Sequence, residues 1–289
     1  MNSTLPIKVL LAAAMAAGVM LSTTALSASP YATEWVKGHN SRTRLIVGGA
    51  PGADGRLQRY AALEIVMPSG WKTYWRQPGS AGGIPPEVSW QSSTNLKNAT
   101  IQYPAPIRMV DPSGESIGYK KSVVFPLHLE PVDPQKPLVL DLKVFFGVCR
   151  EICIPAQSAF KVTIDPALFR QTPPQLAKAL RSVPATGKDV DTAAPSLAAL
   201  KQSTVATDKR ALMFDVHFPS GTKGADIFAE TGSHEAMAMS KVVGRPVPGM
   251  IRYQVVVADP ELWKSLGKTG IVLTMVSDNG AREVRIPMP

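Results

Sequence analysis

Two cysteines are the residues whose type and spacing point most directly to chemistry. Cys149 and Cys153 are the only cysteines among the 289 residues, and three residues separate them. An apolar run ends near Gly147 and Pro155 follows the pair, so the pair is expected on a turn or short helical loop. A tight loop of this length allows the two sulfurs to meet.

Three kinds of chemistry fit this pair. In the loop-entropy model a bridge over so short a loop stabilises the fold by only about 2 kcal/mol, and a weak, strained bridge is easily reduced, as redox chemistry requires. A structural bridge in a non-catalytic adaptor is the second interpretation. The third is copper(I) bound by two thiolates with a further His or Met, for which Met237 and Met239, near His234, are candidate donors.

No other site is predicted. Zinc fits less well because it needs four ligands and the histidine nearest in sequence is His128. The sequence contains no phosphate-binding loop, no His-Glu-x-x-His and no Gly-x-Ser-x-Gly segment. We therefore expect no cofactor, and no metal beyond the copper alternative.

The amino terminus has the pattern of an export signal. Lys8 precedes the uncharged, mostly apolar run Val9–Leu21, and small residues follow, so residues 1–28 are predicted to be a signal peptide cleaved after Ala28. The run is shorter than the roughly 20 residues that a membrane-spanning helix needs, although an anchor helix is the competing interpretation. No later stretch resembles a span. The mature chain is expected in the periplasm, where disulfides form.

The composition indicates a folded protein with a basic surface. Hydrophobic residues make up 45% of the chain and charged residues 18%, which suits a buried core. The net charge is +9, of which Lys8 contributes one. No Lys/Arg run alternates with aromatic residues, so nucleic acid is not an expected partner.

The pattern of elements predicts a mainly β protein. Short apolar runs between prolines and glycines predict eight or nine strands of a sandwich over residues 33–165. Among them, Tyr60–Met67 and Trp71–Arg76 are predicted to form a hairpin around the Pro68–Gly70 turn.

The remainder of the chain is predicted to differ. Residues 166–207 contain helix formers bounded by prolines, which indicates a linker with short helices at Gln175–Ser182 and Ser196–Lys201. Residues 208–289 return to strand patterns and predict a second, smaller β domain, with a helical turn at Pro260–Leu266.

Several ordered blocks between residues 42 and 165 carry a family resemblance. They are residues 70–79, 84–86, 103–108, 118–120 and 148–155, the last reading Val-Cys-Arg-Glu-Ile-Cys-Ile-Pro. Together they resemble the amino-terminal periplasmic domain of DsbD-type thiol:disulfide interchange proteins. The similarity is closest to the branch that includes the copper-sensitivity suppressor ScsB.

The resemblance implies an immunoglobulin-like β-sandwich in which Cys149 and Cys153 are the catalytic cysteines of a thiol-disulfide oxidoreductase of the protein-disulfide reductase type. It implies two classes of partner: a membrane electron donor of the DsbD/ScsB type, and periplasmic thioredoxin-like or disulfide-bearing proteins. It also implies a cap loop that shields the pair, and Asp111–Tyr119 falls in the similar place.

Two features depart from the better-known members of that family. Their cysteines are separated by a longer gap. The present sequence ends at Pro289 without a membrane domain or a terminal thioredoxin-like domain. We therefore expect either that a separate membrane protein reduces the pair or that the pair has a different function. A docking surface is the expected contribution of the second domain.

Overall fold

The structure is a computed structural model that describes residues 30–52, 54–112, 114–187, 192–206 and 209–288. The predicted signal peptide lies outside the described residues. The prediction of a mainly β fold is confirmed, because antiparallel strands in four sheets form most of the described chain.

The first eleven strands build one sandwich. They are β1 (Val36–Gly38), β2 (Ser41–Pro51), β3 (Leu57–Val66), β4 (Lys72–Tyr74), β5 (Glu87–Ser89), β6 (Leu96–Ile101), β7 (Ile107–Asp111), β8 (Gly114–Lys120), β9 (Ser122–Pro131), β10 (Leu138–Cys149) and β11 (Cys153–Ile164). One sheet has the order β1-β2-β3-β9-β6. The other has the order β11-β10-β4-β8-β7, with β5 on β10, and we call it the cysteine sheet.

Alternation along the strands sets the core of this first sandwich. In β10 the even positions from Leu140 to Val148 are buried and pack against Leu45, Leu63 and Phe125 of the opposite sheet. The odd positions, including Cys149, therefore point to the outer face of the cysteine sheet. Because of this alternation, both cysteines lie on the face of the sheet that points away from the core.

The predicted hairpin of Tyr60–Met67 with Trp71–Arg76 is wrong. Strand β3 pairs with β2 and β9, whereas β4 pairs with β8 and β10 of the other sheet. The turn at residues 68–70 therefore carries the chain from one sheet to the other. Residues 68–70 do form a turn, but a turn does not by itself require the strands on either side of it to pair.

The segment after β11 contains a short 3-10 helix, Pro166–Arg170, and helix α1, Pro174–Ser182. Helix α1 confirms the predicted helix at Gln175–Ser182, and its Leu176 packs on the outer face of the first sheet. The predicted helix at Ser196–Lys201 is wrong, because these residues form the start of a strand that pairs with Lys209–His217. Pairing with a neighbouring strand overrides the weak helix propensity of Leu, Ala and Lys here.

The remaining elements form a second sandwich. They are β12 (Ser196–Ala206), β13 (Lys209–His217), β14 (Asp226–Thr231), β15 (Lys241–Gly244), β16 (Met250–Val257), α2 (Pro260–Thr269), β17 (Ile271–Ser277) and β18 (Gly280–Ile286). Its sheets are β12-β13-β16-β15 and β14-β17-β18. They enclose a separate core that includes Phe214, Tyr253, Leu273 and Leu266 of α2. Helix α2 confirms the helical turn predicted at Pro260–Leu266.

The two sandwiches touch where β14 meets β7 and the residue that follows β4. The Trp75 and Phe228 rings lie 5.6 Å apart between their centroids, and Phe228 is part of the core of the first sandwich. Arg108 of β7 binds Asp226 of β14 through two hydrogen bonds of 2.8 Å. The second sandwich is therefore packed against the cysteine sheet.

Candidate functional site

The two cysteines end the longest hairpin of the first sandwich. Strands β10 and β11 pair over twelve positions, and the last pair sets Cys149 directly opposite Cys153. Their Cα atoms are 4.2 Å apart and the sulfurs are joined in a disulfide. Only Arg150, Glu151 and Ile152 close the loop. The expected turn is therefore the end of a hairpin, and its register brings the sulfurs within bonding distance.

The disulfide is half open to solvent. Cys149 is 3% exposed, whereas Cys153 is exposed and the neighbouring Ile152 is 69% exposed. An incoming sulfur must approach along the line of the bond that it breaks, and access to the attacked sulfur controls the rate. Cys153 is thus the sulfur that another protein can reach.

Four residues from four strands form one row across the outer face. The register places Cys153 beside Cys149, Cys149 beside Lys72 and Lys72 beside Lys120. Side chains at directly opposite positions point to the same face and lie within contact range. Lys72 is 8% exposed, so the row places a buried cation next to the buried cysteine.

Lys72 is held by partners from β7 and β8. Its Nζ donates hydrogen bonds to Asp111 Oδ2 at 2.6 Å and to Ser116 Oγ at 2.9 Å. A buried ammonium group needs such partners, because an unpaired buried charge is strongly destabilising. The carboxylate of Asp111 also offsets part of the positive charge that Lys72 presents to Cys149.

The buried Tyr74 contacts the exposed Cys153. It lies two positions after Lys72 on the same face of β4, and its hydroxyl is 3.1 Å from Cys153 Sγ. Burial of the ring raises the pKa of Tyr74, and the negative charge of Asp111 raises it further. The phenol therefore stays protonated at neutral pH and is able to donate a hydrogen bond to a thiolate at Cys153.

A loop borders the buried half of the site. We call residues 78–84 the covering segment. Its Ile84 carbonyl accepts a hydrogen bond of 2.9 Å from the backbone of Gly147, two residues before Cys149. Gly83 lies on the Tyr74 ring so closely that a Cβ there would be 2.3 Å from a ring carbon. A cleft of about 330 Å³ remains between residues 81–84, Tyr74 and the disulfide.

The segment expected to be the cap borders the same site. Asp111 ends β7, and residues 114–119 belong to β8. Asp111 and Ser116 bind Lys72, and Ser116 also lines the cleft beside the disulfide. The Glu115 carbonyl accepts a hydrogen bond from Ala81 of the covering segment. The role of this hairpin as a cap stays a prediction.

The candidate copper donors have other contacts in the structure. Met237 packs against the core of the second sandwich and Met239 against that of the first. His234 Nδ1 lies 3.5 Å from Glu230 Oε1. Within the described ranges, no group of three or more His, Cys, Asp or Glu side chains is arranged to hold a metal ion.

Comparison with known proteins supports the predicted resemblance. Residues 56–164 match the family described as Thiol:disulfide interchange protein DsbD, N-terminal. This stretch contains the cysteine pair, Lys72, Tyr74 and the covering segment. The resemblance to DsbD-type proteins is therefore confirmed for this part of the chain.

A solved structure shares the fold over most of the chain. The crystal structure of the N-terminal periplasmic domain of ScsB from Proteus mirabilis matches with a TM-score of 0.61. The match covers 89% of this chain and 98% of that one at 20% sequence identity. At this identity the likeness shows the arrangement of both sandwiches. No curated protein sequence matches the chain.

No helix among the described residues is long and apolar enough to cross a membrane.

Sequence reasoning identified the cysteine pair but missed the roles of Lys72, Tyr74 and residues 78–84. The alternation of Lys72 and Tyr74 in a short strand would have placed them on one face. Nothing in the pattern showed that this face adjoins the cysteines, because β4 meets β10 only through the fold.

Proposed function

We propose that the protein is a periplasmic thiol-disulfide exchange protein that passes electrons through Cys149 and Cys153. The donor would be a membrane protein of the DsbD/ScsB type, and the acceptors would be periplasmic thioredoxin-like or disulfide-bearing proteins. The observation that carries the proposal is a disulfide at a hairpin end with one exposed and one buried sulfur. The matched family supports the same chemistry.

The exchange has two steps in this proposal. The Cys153 thiolate of the reduced pair attacks a partner disulfide, forming a mixed disulfide and releasing one partner thiolate. The Cys149 thiolate then attacks Cys153 Sγ, which restores the Cys149–Cys153 bond and releases the second partner thiolate. The partner gains two electrons and the pair loses two. A dithiol of the membrane donor would reduce the pair by the reverse sequence.

The geometry supports different parts for the two cysteines in this exchange. Cys153 is exposed and has the Tyr74 hydroxyl 3.1 Å from its sulfur, so it suits the attacking position. Cys149 is buried opposite it and suits the resolving position. The hairpin holds both backbones in register whether or not the sulfurs are bonded, because the strand pairing continues for eleven further positions.

Trapping with single-cysteine variants tests the proposal. Cys149→Ser leaves the exposed Cys153 without its resolving partner and is expected to accumulate mixed disulfides with periplasmic proteins or a model protein disulfide. Cys153→Ser is the matched control and should accumulate few. A redox titration of the pair accompanies the test. If neither variant captures a protein, or the potential lies below about −300 mV as in structural bridges, the proposal fails.

The export and domain assignments belong to the same proposal. Cleavage after Ala28 would give a mature chain of two domains, residues 33–165 and 208–289, joined by residues 166–207. In the structure the strands of the second sandwich already begin at Ser196, so the second fragment from limited proteolysis is expected to include Ser196 rather than to begin at residue 208. Mass spectrometry of the exported protein and of its proteolytic fragments measures both boundaries.

A further inference from the structure

The second sandwich contains no cysteine, yet it binds the residues directly before the covering segment. We infer that it holds this segment closed over Cys149, and that Glu230 and Glu283 are positioning residues that act through Arg76. The consequence for electron transfer rests on the proposed function. The structural claim concerns access to Cys149 and is tested separately.

The main contact is a cluster of ion pairs between Arg76 and two glutamates of the second sandwich. Arg76 donates to Glu230 from Nη2 at 2.6 Å and from Nε at 3.0 Å, and to Glu283 Oε2 from Nη2 at 2.5 Å. Glu230 is 0% exposed. Bidentate hydrogen bonds between a guanidinium and a carboxylate are among the strongest and most directional polar contacts in proteins. Separating Arg76 from these partners would leave a buried carboxylate unpaired.

The neighbours of Arg76 strengthen the same contact. Trp75 packs against Phe228, and the Arg76 guanidinium lies 4.2 Å from the centre of the Trp75 ring. The Gln77 side-chain amide donates a hydrogen bond to the backbone carbonyl of His234. Three consecutive residues are therefore anchored, two of them directly by side chains of the second sandwich. We call Trp75–Gln77 the anchor.

The anchor connects the two parts of the site that must stay aligned. Tyr74, whose hydroxyl contacts Cys153, immediately precedes it, and the covering segment immediately follows it. The segment turns back so that Gly83 lies on the Tyr74 ring. A movement of the anchor therefore shifts both Tyr74 and the cover. Because the anchor is held by the second sandwich, that sandwich sets how often Cys149 becomes accessible.

Beyond the anchor, the cover is tied to the cysteine sheet mainly through its backbone. Hydrogen bonds run from Ile117 to Pro78, from Ala81 to Glu115 and from Gly147 to Ile84, and the Ser80 hydroxyl contacts the Glu115 backbone. Gly82 and Gly83 are exposed and have positive φ angles of 73° and 152°. Such a glycine-containing loop opens easily unless its ends are held. The anchor holds the amino-terminal end.

The test measures alkylation of Cys149 by iodoacetamide in the full chain carrying Cys153→Ser. Adding Glu230→Gln removes the buried carboxylate that binds Arg76. We expect the alkylation rate to rise roughly tenfold, because a hydrogen bond to a charged group typically shifts an equilibrium by at least that factor. Glu283→Gln, at the more exposed carboxylate, should have a smaller effect in the same direction.

Asp215→Asn is the matched control. It breaks the bidentate pair between Arg252 and Asp215, which joins β16 and β13 within the second sandwich, away from the anchor. We expect less than a twofold change in the alkylation rate for this variant. Equal rates for Glu230→Gln and Asp215→Asn, at similar losses of thermal stability, would show that the anchor has no special role and would overturn the inference.

A second measurement covers the case in which Glu230→Gln fails to fold. Hydrogen exchange of residues 78–84 in Glu283→Gln should accelerate relative to exchange in β10 and β11, and unchanged protection there would also overturn the inference. Failure of the proposed function has a different signature. In that case Cys149→Ser captures no partner, whatever the alkylation rate of Cys149.

Discussion

The Tyr74 hydroxyl and the Cys153 sulfur lie 3.1 Å apart, with the phenol on the protein side and the sulfur exposed. Tyr74 is 3% exposed, so its position is set by packing. The contact leaves the solvent side of the sulfur free for a partner. It also places a protonated donor where negative charge develops when the bridge opens.

Replacing Tyr74 with Phe is expected to slow the attack by Cys153. The phenylalanine ring keeps the packing but removes the hydrogen bond that the phenol donates to the thiolate. A hydrogen bond to a charged group contributes about 1.5 kcal/mol or more, so the pH midpoint of Cys153 alkylation should rise by about one unit. The measurement is the iodoacetamide rate against pH in the Cys149→Ser background.

Tyr60→Phe provides the control for that variant. Tyr60 is a buried tyrosine in the opposite sheet, where its ring lies 5.5 Å from that of His128 in a tilted arrangement. It should leave the pH midpoint unchanged. An unchanged midpoint in Tyr74→Phe as well would mean that the phenol does not hydrogen bond to the reduced sulfur.

Replacing Lys72 with Met is expected to make the reduction potential more negative. The ammonium group is buried in the row beside Cys149 and favours the negatively charged, reduced pair. Its loss destabilises the reduced form, by on the order of 30 mV for about 1.4 kcal/mol. Equilibration with dithiothreitol redox buffers measures the potential.

Lys143→Met is the control for the charge effect. Lys143 lies on the same strand and face as Cys149 but six residues away, and it is exposed. At that separation solvent and salt screen the charge, so the potential should not move. A shift of similar size in both variants would show that Lys72 acts only through the net charge of the protein.

The sequence was sufficient to predict the class of fold and a cysteine pair able to form a disulfide. Spacing and compartment singled out Cys149 and Cys153, and short runs between prolines predicted strands. These signals depend on residues close together in sequence, so they can be recognised without knowing the order of the strands in the sheets. The wrong hairpin at Pro68–Gly70 shows the limit, because strand pairing depends on where each strand goes after the turn.

The supporting residues of the site could not be predicted for the same reason. Lys72 lies 77 positions before Cys149 in sequence, and it becomes a neighbour only because β4 pairs with the end of β10. Likewise, Arg76 meets Glu230 only after the second sandwich docks. Such contacts are set by sheet order, which single-sequence patterns do not encode.

Gly83→Ala is expected to open the cover without any change in charge. The added methyl would meet the Tyr74 ring at 2.3 Å, so either the segment or the ring must move. Cys149 alkylation in the Cys153→Ser background should then rise several-fold. Gly82→Ala also places a side chain at a positive φ, 73°, but the new methyl has nothing within 4 Å. Equal rates in the two variants would argue against steric displacement.

The raised pKa of Tyr103 leads us to expect that the protein loses stability at high pH. Burial raises the pKa of Tyr103 to about 12, and the nearby Arg76 acts in the opposite direction. Because the folded pKa exceeds the unfolded value of 10, the contribution is full below pH 10 and is lost between pH 10 and 12. The expected loss is up to about 3 kcal/mol.

Urea unfolding at several pH values measures that loss. Tyr103→Phe removes the titrating group and should flatten the dependence between pH 10 and 12, although it also loses the hydrogen bond to the Pro86 carbonyl at all pH values. Identical slopes for the two proteins would show that other groups dominate alkaline unfolding.

Reduction of the Cys149–Cys153 bridge is expected to lower the free energy of unfolding by no more than about 2 kcal/mol, the loop-entropy value for so short a ring. The hairpin keeps eleven other residue pairs, and Val148 and Phe146 stay buried in the core, so the sandwich does not depend on the bridge. Urea unfolding with and without a phosphine reductant measures the difference. Cys149→Ser/Cys153→Ser should reproduce the reduced value. A much larger loss, or unfolding on reduction alone, would make the bridge a structural staple, because a pair that must open and close in every exchange cannot be essential to the fold that carries it.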